Sequence, residues 1–162
     1  MVCCDLHLFI GYLNRLADMV IGYTTGVFDL FHIGHLNVLR NARSMCDRLI
    51  VGITDDELLY EYKNKHPVIP FLERMEIVRN IKCVDVVIAQ RTMDKFEAWK
   101  RLRFDIMFVG DDWYETQKWE AIQRQLEEVN VRIVYFPYTQ GTSSTLVNEI
   151  LEEKRETMAK RG

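Results

Sequence analysis

A chain of 162 residues has room for one domain with its own core, and a formal charge of −3 excludes the broad positive excess expected of a protein whose main partner is nucleic acid. Apolar residues make up 48% and charged residues 28%, the ordinary balance of a soluble globular protein. The four cysteines, Cys3, Cys4, Cys46 and Cys83, form neither a C-x-x-C pair nor a regular spacing, so neither a zinc site nor a disulfide framework is expected.

Residues 1–18 stand apart from the rest of the chain. Leu6, Leu8, Phe9, Ile10 and Leu13 make a short apolar patch without a basic flank or a small-residue cleavage site, too short to span a bilayer. We read it as an appendage before Met19, either an upstream start ahead of the strand opening at Met19-Val20-Ile21, or a helix for a membrane surface or a dimer contact. The domain proper is expected over 19–154, with a charged tail over 155–162.

The first strand breaks at Gly26, and the stretch Tyr23 to His35 reads Tyr-Thr-Thr-Gly-Val-Phe-Asp-Leu-Phe-His-Ile-Gly-His. A helix is expected from about Gly34 to Met45, with Leu36, Leu39 and Ala42 inward and Arg40, Asn41 and Arg43 outward. Its first turn carries His32 and His35 on one face, where unpaired backbone N–H groups and the positive end of the helix dipole attract anions. Two imidazoles there make a phosphate cradle, and Gly34 lets a triphosphate approach the backbone.

A second strand, Arg48 to Thr54, is almost continuously apolar, as a strand buried on both faces should be. Asp55 and Asp56 after it suit helix capping. Tyr62 to Pro70 reads as an irregular, proline-bounded loop whose Lys63 and Lys65 can fold over bound phosphate. A helix over Phe71 to Ile81 places Leu72, Met75, Val78 and Ile81 on one face. Beyond it come a strand over Val86 to Ala89, a helix over Met93 to Leu102 with Phe96 and Trp99 inward, and a strand over Asp105 to Val109. Cys46 and Cys83 fall on apolar-periodic positions and read as small buried hydrophobes.

Gly110-Asp111-Asp112-Trp113 puts two carboxylates directly after a buried strand, costly to hold together unless a positive or hydroxyl-bearing group meets them. A helix over Trp113 to Val129 and a strand over Val131 to Phe136 lead to Pro137-Tyr138-Thr139-Gln140-Gly141-Thr142-Ser143-Ser144-Thr145. Five Ser and Thr residues and a glycine before a helix over Leu146 to about Lys154 exceed what capping needs and suggest a second anion site.

Phe28-Asp29, His32-Ile33-Gly34-His35, the lysine pair before Glu73-Arg74, Val84-Asp85, Gly110-Asp111-Asp112-Trp113 and the Thr139, Gly141, Ser143, Thr145 series together resemble the cytidylyltransferase family, in particular the bacterial glycerol-3-phosphate cytidylyltransferases. The resemblance runs from Met19 to about Leu151. It implies catalytic roles for His32, His35, Lys63 and Lys65, and acceptor binding by Lys63 and Arg74. It implies nucleotide binding by Thr25, Gly26, Val27, Phe28, Asp29, Gly34, Lys82, Asp85, Gly110, Asp111, Asp112, Trp113, Tyr138, Thr139, Gly141, Ser143, Ser144 and Thr145. Lys82 and Tyr138 stand where the family usually carries arginines. The implied substrates are CTP and glycerol 3-phosphate, giving CDP-glycerol for teichoic acid or capsule, with Mg²⁺ brought mainly by the nucleotide, and members are often homodimers; the composition, for its part, points to a reducing cytoplasm.

The alternation of strands and helices itself points to an α/β fold, a doubly wound parallel five-stranded sheet of Rossmann-like type. Such sheets bind ligands outside the carboxyl ends of the strands, where the strand order reverses. Neighbouring first and fourth strands would make the histidine turn and Gly110-Asp111 face each other. Rival readings are an ATP-using relative or one with a phosphocholine or phosphoethanolamine acceptor, a metal phosphohydrolase built on His32, His35, Asp111 and Asp112, and a non-catalytic nucleotide sensor.

Overall fold

The computed structural model describes residues 19–110, 117–137 and 143–159, with side chains throughout except at 117–118 and 155–159. Asp111, Asp112, Trp113, Tyr138, Thr139 and Gly141, like Cys3, Cys4 and the rest of 1–18, lie outside the described residues.

Five parallel strands form one sheet in the order β3-β2-β1-β4-β5: β1 is Ile21–Gly26, β2 Arg48–Thr54, β3 Val86–Gln90, β4 Ile106–Gly110 and β5 Arg132–Phe136. Six helices are described: α1 Ile33–Arg43, α2 Asp56–Lys63, α3 Phe71–Arg79, α4 Lys95–Leu102, α5 Gln117–Glu127 and α6 Ser144–Ala159. β1 pairs with β2 on one side (Tyr23 opposite Ile50) and with β4 on the other (Tyr23 opposite Met107). The chain winds outward to β3, returns to the centre at β4 and winds out again to β5, so β1 and β4 flank the reversal in strand order.

Each face of the sheet has its own core. Leu39 and Ala42 of α1 and Val78 of α3 pack with Leu49, Val51, Ile53 and Phe108 on one face. On the other, Phe96, Trp99 and Leu102 of α4 and Trp119 and Leu126 of α5 pack with Tyr23, Ile50 and Met107. Burial on both faces explains why β2 and β4 are apolar runs without alternation. Gly22 permits close packing on β1, since a Cβ there would lie 2.6 Å from the Phe108 ring and 2.7 Å from Cys46 Sγ. Cys46 is buried and Cys83 half-buried, and burial raises both thiols above their ordinary range, as suits packing residues.

Helix boundaries follow capping chemistry. Asp55 caps α2 by accepting from Leu58 N at 2.8 Å, and Asp94 caps α4 by accepting from Glu97 N at 2.9 Å, so α4 starts two residues later than hydrophobic periodicity suggested. Asp56 does not cap its own helix; its carboxylate accepts from Phe71 N, the first N–H of α3, at 3.3 Å and pairs with Arg74 at 2.6 Å. Lys63 is the last residue of α2 rather than part of the loop, and the helix ends at Asn64 in a left-handed conformation, φ 50°. Leu72, expected inward, is 75% exposed in the first turn of α3, while Met75, Val78 and Ile81 reach the core. The last helix continues to Ala159, past the expected end at Lys154.

Candidate active site

β1 delivers the chain at the carboxyl edge of the sheet, where Val27 to Phe31 turn it into α1. Phe28 and Leu30 have φ of 54° and 47°, left-handed backbone that side-chain-bearing residues seldom adopt. The turn is held from within. Phe28 is 5% exposed in the core, and its ring centroid lies 5.2 Å from that of His35. The Asp29 carboxylate accepts from three backbone N–H groups, Leu30 at 3.0 Å, Val68 at 2.8 Å and Ile69 at 2.9 Å. The sequence marked Asp29 as nucleotide-binding; the structure gives its carboxylate to the backbone and so fastens the lysine-bearing loop to the turn.

His32 and His35 do come together, their rings stacked with centroids 3.9 Å apart. His32 is the N-cap of α1, its Nδ1 accepting from Gly34 N at 3.1 Å, and His35 Nδ1 accepts from His32 N at 3.4 Å. With both Nδ1 lone pairs so engaged, the remaining proton of each neutral ring sits on Nε2. Burial lowers the pKa of His32, and burial, then the nearby His32, lowers His35 to about 4 against a weaker opposing pull from Asp29. Near neutral pH the pair therefore presents two neutral N–H donors at a helix N-terminus, an arrangement matched to phosphate oxygens. It is poorly matched to a metal, which needs a free ring lone pair. Among the described residues no group of three His, Cys, Asp or Glu side chains is placed to hold a metal ion.

The carboxyl edge opens into a cavity of about 260 Å³ between the two helix layers, lined by Thr25, Gly26, Val27, Phe28 and His35 on the β1–α1 side and by Gly110 on the β4 side. The first and fourth strands do pair, the condition on which the histidine turn would face the end of β4, and of that end Gly110 is described. Lys63 and His35 line this cavity and also an adjoining depression of about 700 Å³ that Lys65, Ser144 and Thr145 share. Ser143 caps α6 by accepting from Leu146 N at 3.1 Å, while Ser144 Oγ donates to the Asp29 carbonyl at 2.8 Å. The second helix N-terminus is in this way tied to the first.

Other marked residues lie elsewhere. Arg74 is fully buried, and its guanidinium donates to Ile69 O, Val27 O and the Asp56 carboxylate, so it braces the turn instead of facing a substrate. Asp85 precedes β3 at the amino edge of the sheet, accepting from Leu49 N at 2.7 Å and pairing with Arg43 at 3.2 Å. Lys82, three positions earlier, is likewise outside both cavities. Neither is brought to the crevice of this chain.

Among the lining residues that the sequence left unmarked are two buried polar ones, Gln90 and Lys95. Gln90, 5% exposed at the end of β3, accepts through Oε1 from the hydroxyls of Thr25 and Thr54, joining the ends of three strands. Lys95, 6% exposed, enters the crevice from α4. Its sequence signal is a lysine on the same helical stripe as Ala98, Trp99 and Leu102, all packed on the core.

Residues 23–156 match the cytidylyltransferase-like family. The chain belongs to that family. Nucleotidyl transfer is the reaction class that this membership supports. The chain is 31% identical to an FAD synthase of Thermococcus sibiricus, covering 83% of this chain and 91% of that one. It is 34% identical to a probable ethanolamine-phosphate cytidylyltransferase of Encephalitozoon cuniculi, over 75% of this chain and 38% of that one. A lipopolysaccharide core biosynthesis protein from Thermoplasma volcanium has the same fold, with a TM-score of 0.63 at 22% identity over 76% of this chain and 99% of that one. No described helix is long and apolar enough to cross a membrane.

Proposed function

We propose that this protein transfers CMP from CTP to a small phosphate monoester, glycerol 3-phosphate, releasing pyrophosphate and forming CDP-glycerol. The observation that carries the reaction class is the stacked His32–His35 pair, two N–H donors at the α1 N-terminus, bound through the Asp29 carbonyl to the α6 N-terminus at the strand-order reversal. An acceptor phosphate oxygen attacks the α-phosphorus, a new P–O–P bond forms, and the bond between the α-phosphorus and its bridging oxygen breaks with pyrophosphate leaving. A phosphate monoester, with a second pKa near ~6, is already largely dianionic at neutral pH and needs no general base. The residues supply alignment and charge stabilisation: His32 and His35 donate to phosphate oxygens, and Lys63 and Lys65 counter acceptor and leaving-group charge. Mg²⁺ would ride mainly on the triphosphate, with Asp111 the candidate protein carboxylate, and when bound it neutralises phosphate charge.

Cytidylyl transfer is supported by the Gly110-Asp111-Asp112-Trp113 sequence and the similarity to the Encephalitozoon cytidylyltransferase, which equally supports phosphoethanolamine as acceptor. A second reading, ATP as donor and flavin mononucleotide as acceptor, is favoured by the FAD synthase relatives, whose whole length this chain nearly spans. A phosphohydrolase would need metal-binding lone pairs that the two histidines have already given to backbone N–H groups. Homodimer formation belongs to the same proposal and is checked by light scattering.

The deciding experiment measures pyrophosphate release with Mg²⁺ and CTP or ATP, alone and with glycerol 3-phosphate, phosphoethanolamine or flavin mononucleotide. Release requiring both CTP and glycerol 3-phosphate is the expected result. Release only with ATP and flavin mononucleotide replaces it with the second reading. Nucleotide binding with no release on any acceptor would make the chain a sensor.

A further inference from the structure

Tyr23 stands in the middle of β1, 1% exposed, with its ring stacked on that of Phe104 at 4.9 Å. Phenylalanine would fill that place equally well, so it is the hydroxyl that asks for a reason. The phenol lies across β2: a Cβ at Gly52 would come within 2.7 Å of its oxygen, and Gly52 pairs with Ile88 on the edge strand β3. That oxygen makes no hydrogen bond with any described residue. A sealed polar atom without a partner is costly, and no fully enclosed polar side-chain atom among the described residues is in that state. The hydroxyl therefore opens into the cavity that Tyr23 lines.

This cavity, of about 350 Å³, lies between the end of β3 and α4 and is separate from the phosphate crevice. Among the described residues only Gln90 borders both, its Oε1 accepting from the Thr25 and Thr54 hydroxyls and its Nε2 donating to the Thr92 carbonyl at 3.0 Å. The wall between the two spaces is thus held in place. Ile88, Ala98 and Leu102 give the cavity apolar sides, while its exposed charged residues are Arg91, which pairs with Asp55 at 3.9 Å, Glu97 and Arg101. The lining cations outnumber the lining carboxylate. Burial pushes the Tyr23 phenol above its ordinary range against an opposing pull from Arg101, so the hydroxyl stays protonated and available as a donor at neutral pH. A buried O–H and a guanidinium over apolar sides match a carboxylate on a short apolar body. A single negative charge suits this lining better than a phosphate dianion, which Glu97 would repel. We propose that this cavity binds a small monocarboxylate, its oxygens meeting the Tyr23 hydroxyl and the Arg101 guanidinium and its apolar body lying against Ala98 and Leu102, in a site filled independently of nucleotide.

The test compares the full chain with Tyr23→Phe, Arg101→Met and Arg101→Lys. Butyrate, hexanoate and benzoate are the probes, butanol, hexanol and benzamide their uncharged controls, and binding is read by calorimetry and from backbone amide chemical shifts. At least one carboxylate is expected to bind the unsubstituted protein and to move the amide signals of Thr92, Ala98 and Leu102, with its uncharged counterpart about tenfold weaker or more. Tyr23→Phe and Arg101→Met are each expected to weaken that carboxylate about 10- to 30-fold, and Arg101→Lys less. Excess CTP or ATP should leave its affinity within about twofold. Tyr23→Phe should also match or exceed the unsubstituted protein in its urea midpoint, because it deletes a hydroxyl that no described residue answers. Binding by none of the three carboxylates, equal binding of the uncharged controls, unchanged affinity in Tyr23→Phe or Arg101→Met, or displacement by nucleotide overturns the assignment. A lowered urea midpoint in Tyr23→Phe would give the hydroxyl a partner inside the fold and overturn it as well.

Discussion

The Asp29 carboxylate receives the backbone N–H groups of Val68 and Ile69 at 2.8 and 2.9 Å, fastening a loop about forty positions downstream to the turn that carries the histidines. The same side chain also accepts from Leu30 N, so one buried carboxylate serves three donors. Removing it leaves those donors without their partner in a largely buried place. Asp29→Ala is expected to lower unfolding free energy by roughly 2–4 kcal/mol in urea titrations, and Asp29→Asn by about half as much because only one oxygen remains. A side chain whose role was to touch nucleotide would leave stability unchanged.

Arg74 extends the same scaffold. Its guanidinium reaches two carbonyls and the Asp56 carboxylate from a fully buried position, and this fork cannot be reproduced by a single ammonium. Arg74→Met is expected to cost about 3–5 kcal/mol, since Asp56 and two carbonyls lose their donor together. Arg74→Lys should recover little of it. The measurement is denaturant unfolding of both variants; a raised acceptor KM at unaltered stability would return Arg74 to the substrate.

These two residues show where sequence reading reached its limit. The five strands were legible because burial on both faces leaves apolar runs at β2 and β4; the alternation of elements implied a doubly wound sheet, while the place of its reversal, between β1 and β4, was a condition that only the strand order meets. The histidine pair was legible because position at a helix start fixes what imidazoles can do. Asp29 and Arg74 spend their polar atoms on backbone groups and on Asp56, which the sequence could not show, because a motif does not say whether a charged group faces a ligand or a distant stretch of its own backbone. Asp85 matched the family pattern and Lys82 stood at a family arginine position, but their place at the amino edge depends on strand direction and register. Lys95 drew no reading from the sequence, because a single lysine at a helix start does not show that the α4 stripe it shares with Ala98, Trp99 and Leu102 faces the sheet.

The neutral state of His35 makes an acid-sensitive fold. Its native pKa is about 4 against 6.5 for an unperturbed imidazole, so between those values the unfolded chain binds a proton that the native one does not. Stability is therefore complete above about pH 6.5 and is expected to fall as pH drops through this window toward 4. Urea midpoints measured across the range should show a shallower decline in His35→Gln. His35→Ala removes the ring N–H donor at Nε2 as well, and there a fall in kcat on the order of 10² to 10³ at neutral pH is expected from losing one preorganised donor. A near-normal kcat would separate His35 from the chemistry while leaving its effect on acid stability intact.

Ser144 and Ser143 offer a sharper comparison, because adjacent hydroxyls do different work at one helix end. Ser143 accepts from Leu146 N and stabilises α6 locally, whereas Ser144 donates to the Asp29 carbonyl and sets α6 against the histidine turn. Ser143→Ala is expected to cost about 1 kcal/mol of stability, the usual loss of a cap. Ser144→Ala should cost a similar ~0.5–1.5 kcal/mol, so stability alone will not distinguish the two. Alignment will. If the triphosphate spans both helix N-termini, loosening their relative placement should raise the nucleotide KM about 3- to 10-fold in Ser144→Ala, within the same ~1.4 kcal/mol scale, and leave Ser143→Ala near the unsubstituted value. Equal KM values in the two variants would mean that the triphosphate is read by α1 alone, and that the bond to Asp29 serves the fold rather than the site.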